Sequence, residues 1–220
     1  MKKLLIVGGG LLFGLITATA ITLYMSLGTI VSDMVESNGS DMLGTAVTVE
    51  QVEIGPFDGY LSLRGVAVKN PREFKAENIF TLAEMTIRLD MSTIRDDLIR
   101  VHLLSLIEPK IYYELEFPDG NNLATIGRNI DAYNKRNGGS EAASTAESVA
   151  VTEEDEPRLI VSQFEMLGAQ FRSGTNVQSQ VLAKFPDFRI QNIGAESGGA
   201  TPAEVAKYIL GIISKRMVGF

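Results

Sequence analysis

His102 is the only histidine in the chain, and cysteine is absent. A metal centre built on several imidazoles is therefore excluded, as are thiolate sites, and any Ser-His-Asp arrangement would have to run through this one residue. His102 lies in "IRVHLLSL", on the face shared with Arg100, where it reads as a solvated strand residue with no pattern of a general base around it. The acidic run "TEEDEP" lacks the spaced oxygen ligands and the turn glycine of a calcium loop, and "DGNN" at 119–122 departs from that spacing too. In "VGGGLLFG" Phe13 stands where a dinucleotide fingerprint needs its third glycine. The residues that could do chemistry thus predict no catalytic, cofactor-binding or metal-ligating set, and the chain reads as a protein that is not an enzyme. Its formal charge is −7, and without Lys2 and Lys3 it is −9, from 18 basic against 27 acidic residues. Such a balance argues against a nucleic-acid partner.

What the chain has instead is apolar surface. After Lys3 the sequence runs from Leu4 to Val31 without a charge, 28 residues that would make a helix of about 42 Å against a hydrocarbon core of roughly 30 Å. A cleaved leader is the competing reading, since two lysines, an apolar stretch and Ala18-x-Ala20 stand in that order; the run continues well past Ala20, which favours a retained anchor. Lysines before the span and Asp33, Glu36 and Asp41 after it predict a cytoplasmic N-terminus, with the rest of the chain across the membrane. Gly10 and Gly14 have the GxxxG spacing of a candidate transmembrane packing face.

The predicted organisation is a cytoplasmic N-terminus and anchor at 1–32, a juxtamembrane linker or short helix at 33–44, and one β-rich domain at 45–220. Strand-like runs at 45–54, 60–68, 79–89, 99–106 and 110–117 are punctuated by Pro56, Asp58-Gly59, Asn70-Pro71, Pro109 and Pro118-Asp119-Gly120, which reads as an antiparallel meander. In the fifth run Ile111, Tyr113, Leu115 and Phe117 alternate with Lys110, Tyr112, Glu114 and Glu116, so the first set is the candidate apolar groove and the second the wet face. In the fourth, Ile99, Val101 and Leu103 share a face. Elsewhere the alternation slips mid-strand, between Val49 and Val52 and between Leu82 and Met85, which predicts bulges and strong curvature. A helix is expected over about 122–134, capped by Asn122, with Leu123, Ile126, Ile130 and Tyr133 on one stripe. Residues 137–157, small, polar and acidic, predict a disordered insert. Further strand-like runs occupy 158–167, 169–172 and 177–193. Thr201, Pro202 and Glu204 then form a capping box that opens a final amphipathic helix.

Four stretches in order, "VKNPREF", "IEPKIYYE" with "NNLATIGRNI", "FPDFRIQNIGAESGG" and "TPAEVAKYIL", give residues 33–220 a pattern that resembles the AsmA-like family of bacterial envelope proteins. The resemblance implies an inner-membrane anchor, a periplasmic β-rich domain curved into a groove, and a part in envelope lipid handling. A long lipid conduit between two membranes would require more than one such copy. The expected fold is a transmembrane helix followed by a curved antiparallel sheet with two helices. The expected function is non-catalytic binding of membrane lipid in an apolar groove; the alternative is a structural or assembly domain whose apolar face is buried by its own helices, by a second copy or by an envelope partner. Asn70-Pro71 and Phe74 are expected to be architectural, a strand stop and the side chain packed behind it.

Overall fold

The computed structural model describes residues 26–55, 57–116, 120–137, 157–173 and 180–217. A helix, α1, covers 26–43 and leads into a ten-stranded sheet. The strands are β1 (Val47–Thr48), β2 (Gln51–Gly55), β3 (Tyr60–Lys69), β4 (Asn78–Leu89), β5 (Leu98–Ile107), β6 (Lys110–Tyr113), β9 (Arg158–Leu167), β10 (Gln170–Ser173), β11 (Gln180–Lys184) and β12 (Phe188–Ile193), while β7 (Leu115–Glu116) and β8 (Gly120–Asn121) form a small separate hairpin. Helices α2 (Asn122–Asn137) and α3 (Pro202–Met217) complete the domain.

The sheet is folded along a crease. β4 pairs with β5 through Glu84–Leu89 but with β6 at Phe80 and Thr81, because its neighbour turns a corner at Glu108-Pro109. On its other side β3 pairs with β2 up to Arg64 and with β1 at Ala67 and Val68, and Gly65 sits at the same level. The corners need left-handed backbone, with φ of 62° at Gly65, 52° at Glu108 and 65° at Gly168. Each layer therefore contributes one segment to a first arm (β2, the start of β3, the end of β4, β5, β9, β12) and one to a second arm (β1, the end of β3, the start of β4, β6, β10, β11). The alternation slip between Leu82 and Met85 falls at this crease, so the curvature that the slip predicts takes the form of a corner.

The antiparallel expectation needs correction. The sheet is mixed, because β5 pairs with β9 and β6 with β10 in parallel. Both pairs have the same offset, Ile107 opposite Leu167 and Lys110 opposite Gln170, so one strand-corner-strand unit lies directly on the other. Parallel neighbours need a long crossover, and α2 with the residues that follow it supplies one. The two helices expected in the domain are α2 and α3, and the predicted linker or short helix at 33–44 is the second half of α1. No helix among the described residues is long and apolar enough to cross a membrane. Most of the apolar run, with Gly10 and Gly14, lies outside the described residues, as does nearly all of the acidic insert.

Across the first arm the strand period of two sorts side chains by face. One row reads Val52, Leu63, Met85, Leu106, Met166, Phe188, and the next of the same parity Ile54, Leu61, Ile87, Leu104, Phe164, Ile190; these belong to the apolar face. Between them runs Ser62, Thr86, Ser105, Glu165, Arg189 on the opposite face, tied by Ser105 Oγ donating to Glu165 Oε1 (3.0 Å) and Arg189 Nε donating to Oε2 (3.0 Å). One extra residue on β5 shifts the register beside Leu89, which pairs with Val101 while Arg88 pairs with Leu103. Val101 is consequently buried on the apolar face together with Leu104, and Leu103 departs from the face predicted for it. His102 sits at this bulge and is exposed.

Candidate apolar ligand site

The three helices lie over the apolar face, each held at its rim by polar links. On α1, Glu36 Oε1 accepts from the Val49 amide (2.7 Å) and Ser40 Oγ from the Val47 amide (2.9 Å). These side chains satisfy edge-strand donors that would otherwise invite another strand. On α2, Asn129 Nδ2 donates to the Leu43 carbonyl (2.8 Å) and Arg136 pairs with Asp41 (3.1 Å), which binds α2 to α1. Asp131 pairs with Lys207 to bind α2 to α3. The capping box forms as the sequence predicts, the Thr201 amide donating to Glu204 Oε2 (2.9 Å) and the Glu204 amide to Thr201 Oγ1 (3.2 Å).

Beneath the helices is a cavity of about 400 Å³. Its walls come from both arms of the sheet and from all three helices: Leu63, Met85, Leu106 and Val161 on the first arm, Val68, Phe80 and Ile111 on the second, Val35, Met42 and Leu43 on α1, Ile126 and Ile130 on α2, Ala206, Ile209 and Leu210 on α3. No polar side chain lines it. Such a site can exclude water and hold hydrocarbon, but it offers no donor, acceptor or charge with which to orient a reacting group.

Of the four residues in the predicted groove, only Ile111 takes part, 2% exposed and on the cavity wall. Tyr113 packs against Phe171, ring centroids 5.8 Å apart, away from the cavity. Leu115 is 68% exposed, which overturns its assignment to the groove, and Phe117 lies outside the described residues. The reason is Glu114. Its carboxylate turns inward and accepts from Asn70 Nδ2 (3.1 Å), the Lys75 amide (2.8 Å) and the Ala76 amide (2.8 Å), leaving the residue 8% exposed. Alternation ends at Tyr113, so Leu115 points outward where the pattern sends it in.

The same cluster explains Asn70-Pro71 and Phe74. Asn122 Nδ2 donates to Asn70 Oδ1 (3.0 Å) and to the Tyr112 carbonyl (2.7 Å), while its Oδ1 accepts from the Glu114 amide (3.1 Å). Asn70, Glu114 and Asn122 thus latch the end of β3, the end of β6 and the start of α2 together, with Phe74 buried beside them. Asn122 is accordingly not the helix cap; Asn121 is, its Oδ1 accepting from the Ala124 amide (2.9 Å). The cavity residues of α1 escape the sequence reading, although Val35, Gly39, Met42 and Leu43 stand at i, i+4, i+7 and i+8 and carry a helical signal. No family model matches the chain, and no curated protein matches it.

Proposed function

We propose that this protein binds the hydrocarbon chain of a membrane lipid in the cavity between the creased sheet and its three helices, and that it has no catalytic activity. The observation that carries the reading is the wholly apolar wall around about 400 Å³, within the range of ligand pockets. Each methylene placed there contributes about 0.8 kcal/mol. With the AsmA-like resemblance and the charge asymmetry around the apolar run, the reading extends to a single-pass protein of a bacterial inner membrane, its domain periplasmic and serving envelope lipid handling.

A second reading is favoured by one observation: α1, α2 and α3 already cover the apolar face, as they would in a structural or assembly domain closed by its own helices or completed by a second copy or an envelope protein. Native mass spectrometry of the full chain released from detergent micelles separates the two. Lipid binding predicts a bound lipid mass on the wild type and its loss in Ala206→Phe, which fills the cavity from α3, with the circular dichroism spectrum unchanged. A wild-type chain free of lipid, or equal lipid on both proteins, rejects the proposal.

A further inference from the structure

The described residues expose eight large apolar side chains, and five of them, Leu27, Ile30, Phe57, Met91 and Ile94, belong to one end of the molecule. Phe57, 93% exposed, sits in the turn between β2 and β3. That turn packs on the loop after β4: the Leu89 amide donates to the Gly59 carbonyl (2.8 Å), and a Cβ at Gly59 would lie 3.1 Å from Met91 Cγ. Asp90 caps the short 3-10 turn Met91–Thr93, with Ile94 immediately after it. The direction of α1 brings Leu27 and Ile30 to the same end. Ser40 bonds to Val47 and Glu36 to Val49, while a Cβ at Gly28 would meet the Val52 carbonyl at 3.6 Å. Traced towards its N-terminus, α1 therefore follows β1 and β2 towards Phe57, and the 22 uncharged residues from Leu4 to Met25 join the domain at this end.

We propose that this end is a docking surface for a lipid bilayer, with Phe57, Met91 and Ile94 seated in the interface beside the point where the apolar N-terminal run enters the domain. A bilayer is the occupant that both observations require, since the run leads to hydrocarbon and the apolar tip borders its exit. Basic and acidic side chains are interspersed here, Arg88, Arg95 and Arg100 with Asp58, Asp96 and Asp97, so apolar contact carries the docking and salt does not release it. The inference shares the anchor with the function proposed above but is independent of what fills the cavity.

The chain contains no tryptophan, so Phe57→Trp makes a single reporter at a site exposed enough to accept it. Arg72→Trp, in the exposed loop beyond the far end of β3, is the control. Both full-length variants are reconstituted in phosphatidylcholine vesicles, with lipids brominated at defined depths as quenchers. Emission from the Phe57→Trp variant is expected to shift to the blue and to be quenched most by bromines about 5–10 Å below the headgroup boundary, at low and high salt alike, while the Arg72→Trp variant keeps the emission of an indole in water. Equal emission from the two variants in chains that float with the vesicles overturns the docking and leaves the anchor intact; chains that do not float overturn both. A blue shift that grows with protein density at fixed lipid also overturns the docking and makes a second copy the occupant.

Discussion

Replacing Glu114 by alanine should destabilise the domain far more than replacing Leu115 by aspartate, the reverse of what strand alternation predicts. Glu114→Ala leaves the Lys75 and Ala76 amides and Asn70 Nδ2 without their acceptor, in a place where the glutamate is 8% exposed. Each orphaned donor costs about 1–3 kcal/mol when water cannot reach it. Lys75 is itself exposed, so water recovers part of the loss; the expected total is about 3 kcal/mol, below the sum over three donors. In a domain of this size that lowers the melting temperature by roughly 6–12 °C. Glu114→Gln should recover little, because its amide nitrogen would face a donor whichever way the side chain is turned. Leu115→Asp changes a side chain that is 68% exposed and should stay within ~0.5 kcal/mol of wild type. Thermal unfolding followed by circular dichroism reads all three variants. Equal melting temperatures for Glu114→Ala and Leu115→Asp, or a lower one for Leu115→Asp, would refute the latch.

At the crease, Gly65→Ala should cost about 1–2 kcal/mol for left-handed backbone, read as a lower midpoint in urea; its Cβ would also meet the Glu50 carboxylate at 2.4 Å, but that side chain end is exposed and can swing away. On the polar face, burial pushes the Glu165 carboxyl up, yet hydrogen bonds from Arg189 and Ser105 and the Arg189 charge outweigh it and hold its pKa below 4.5. A depressed carboxylate stabilises the fold above the ordinary carboxylate range and loses that contribution as pH falls through it, so Arg189→Ala should flatten the loss of stability below about pH 4.5, by no more than ~1 kcal/mol because Arg189 is largely solvated. A steeper acid limb in the variant would contradict this assignment.

The strands and the C-terminal helix are legible because each has a local signature: apolar runs bounded by Pro, Gly and Asn for the strands, a capping box at Thr201 for the helix. The slip between Leu82 and Met85 is legible as curvature, although a slip alone does not distinguish a bulge from a corner. The parallel stacking is not legible. Comparing 98–113 with 158–173, only Val101 and Val161 are identical in register, while Leu104 and Phe164, Leu106 and Met166, Ile111 and Phe171 agree in being apolar and inward-facing. Stacking one corner unit on another demands apolar side chains at inward positions, so the repeat is written in polarity, which ordinary strand patterning also produces. Glu114 is illegible for a related reason: a glutamate between Tyr113 and Leu115 fits a wet strand face, and its acceptor role appears only once the loop at 75–76 is brought 38 residues back against it.

The crease also accounts for why a cavity remains although three helices cover the sheet. A helix is a cylinder about 10 Å across, and a rigid cylinder laid into an angle touches both arms without reaching the corner. The lining residues straddle that corner, Leu63, Met85 and Leu106 on one arm and Val68, Phe80 and Ile111 on the other. The space therefore lies along the crease and crosses successive layers through β3, β4, β5 and β9, four strands whose spacing of ~4.8 Å makes a slot roughly 14 Å long. Gly65 and Gly168 stand at the bend because the corner needs left-handed backbone, and a Cβ at either would turn towards the exposed Glu50 or Glu108, so the space is bounded by the lining side chains alone.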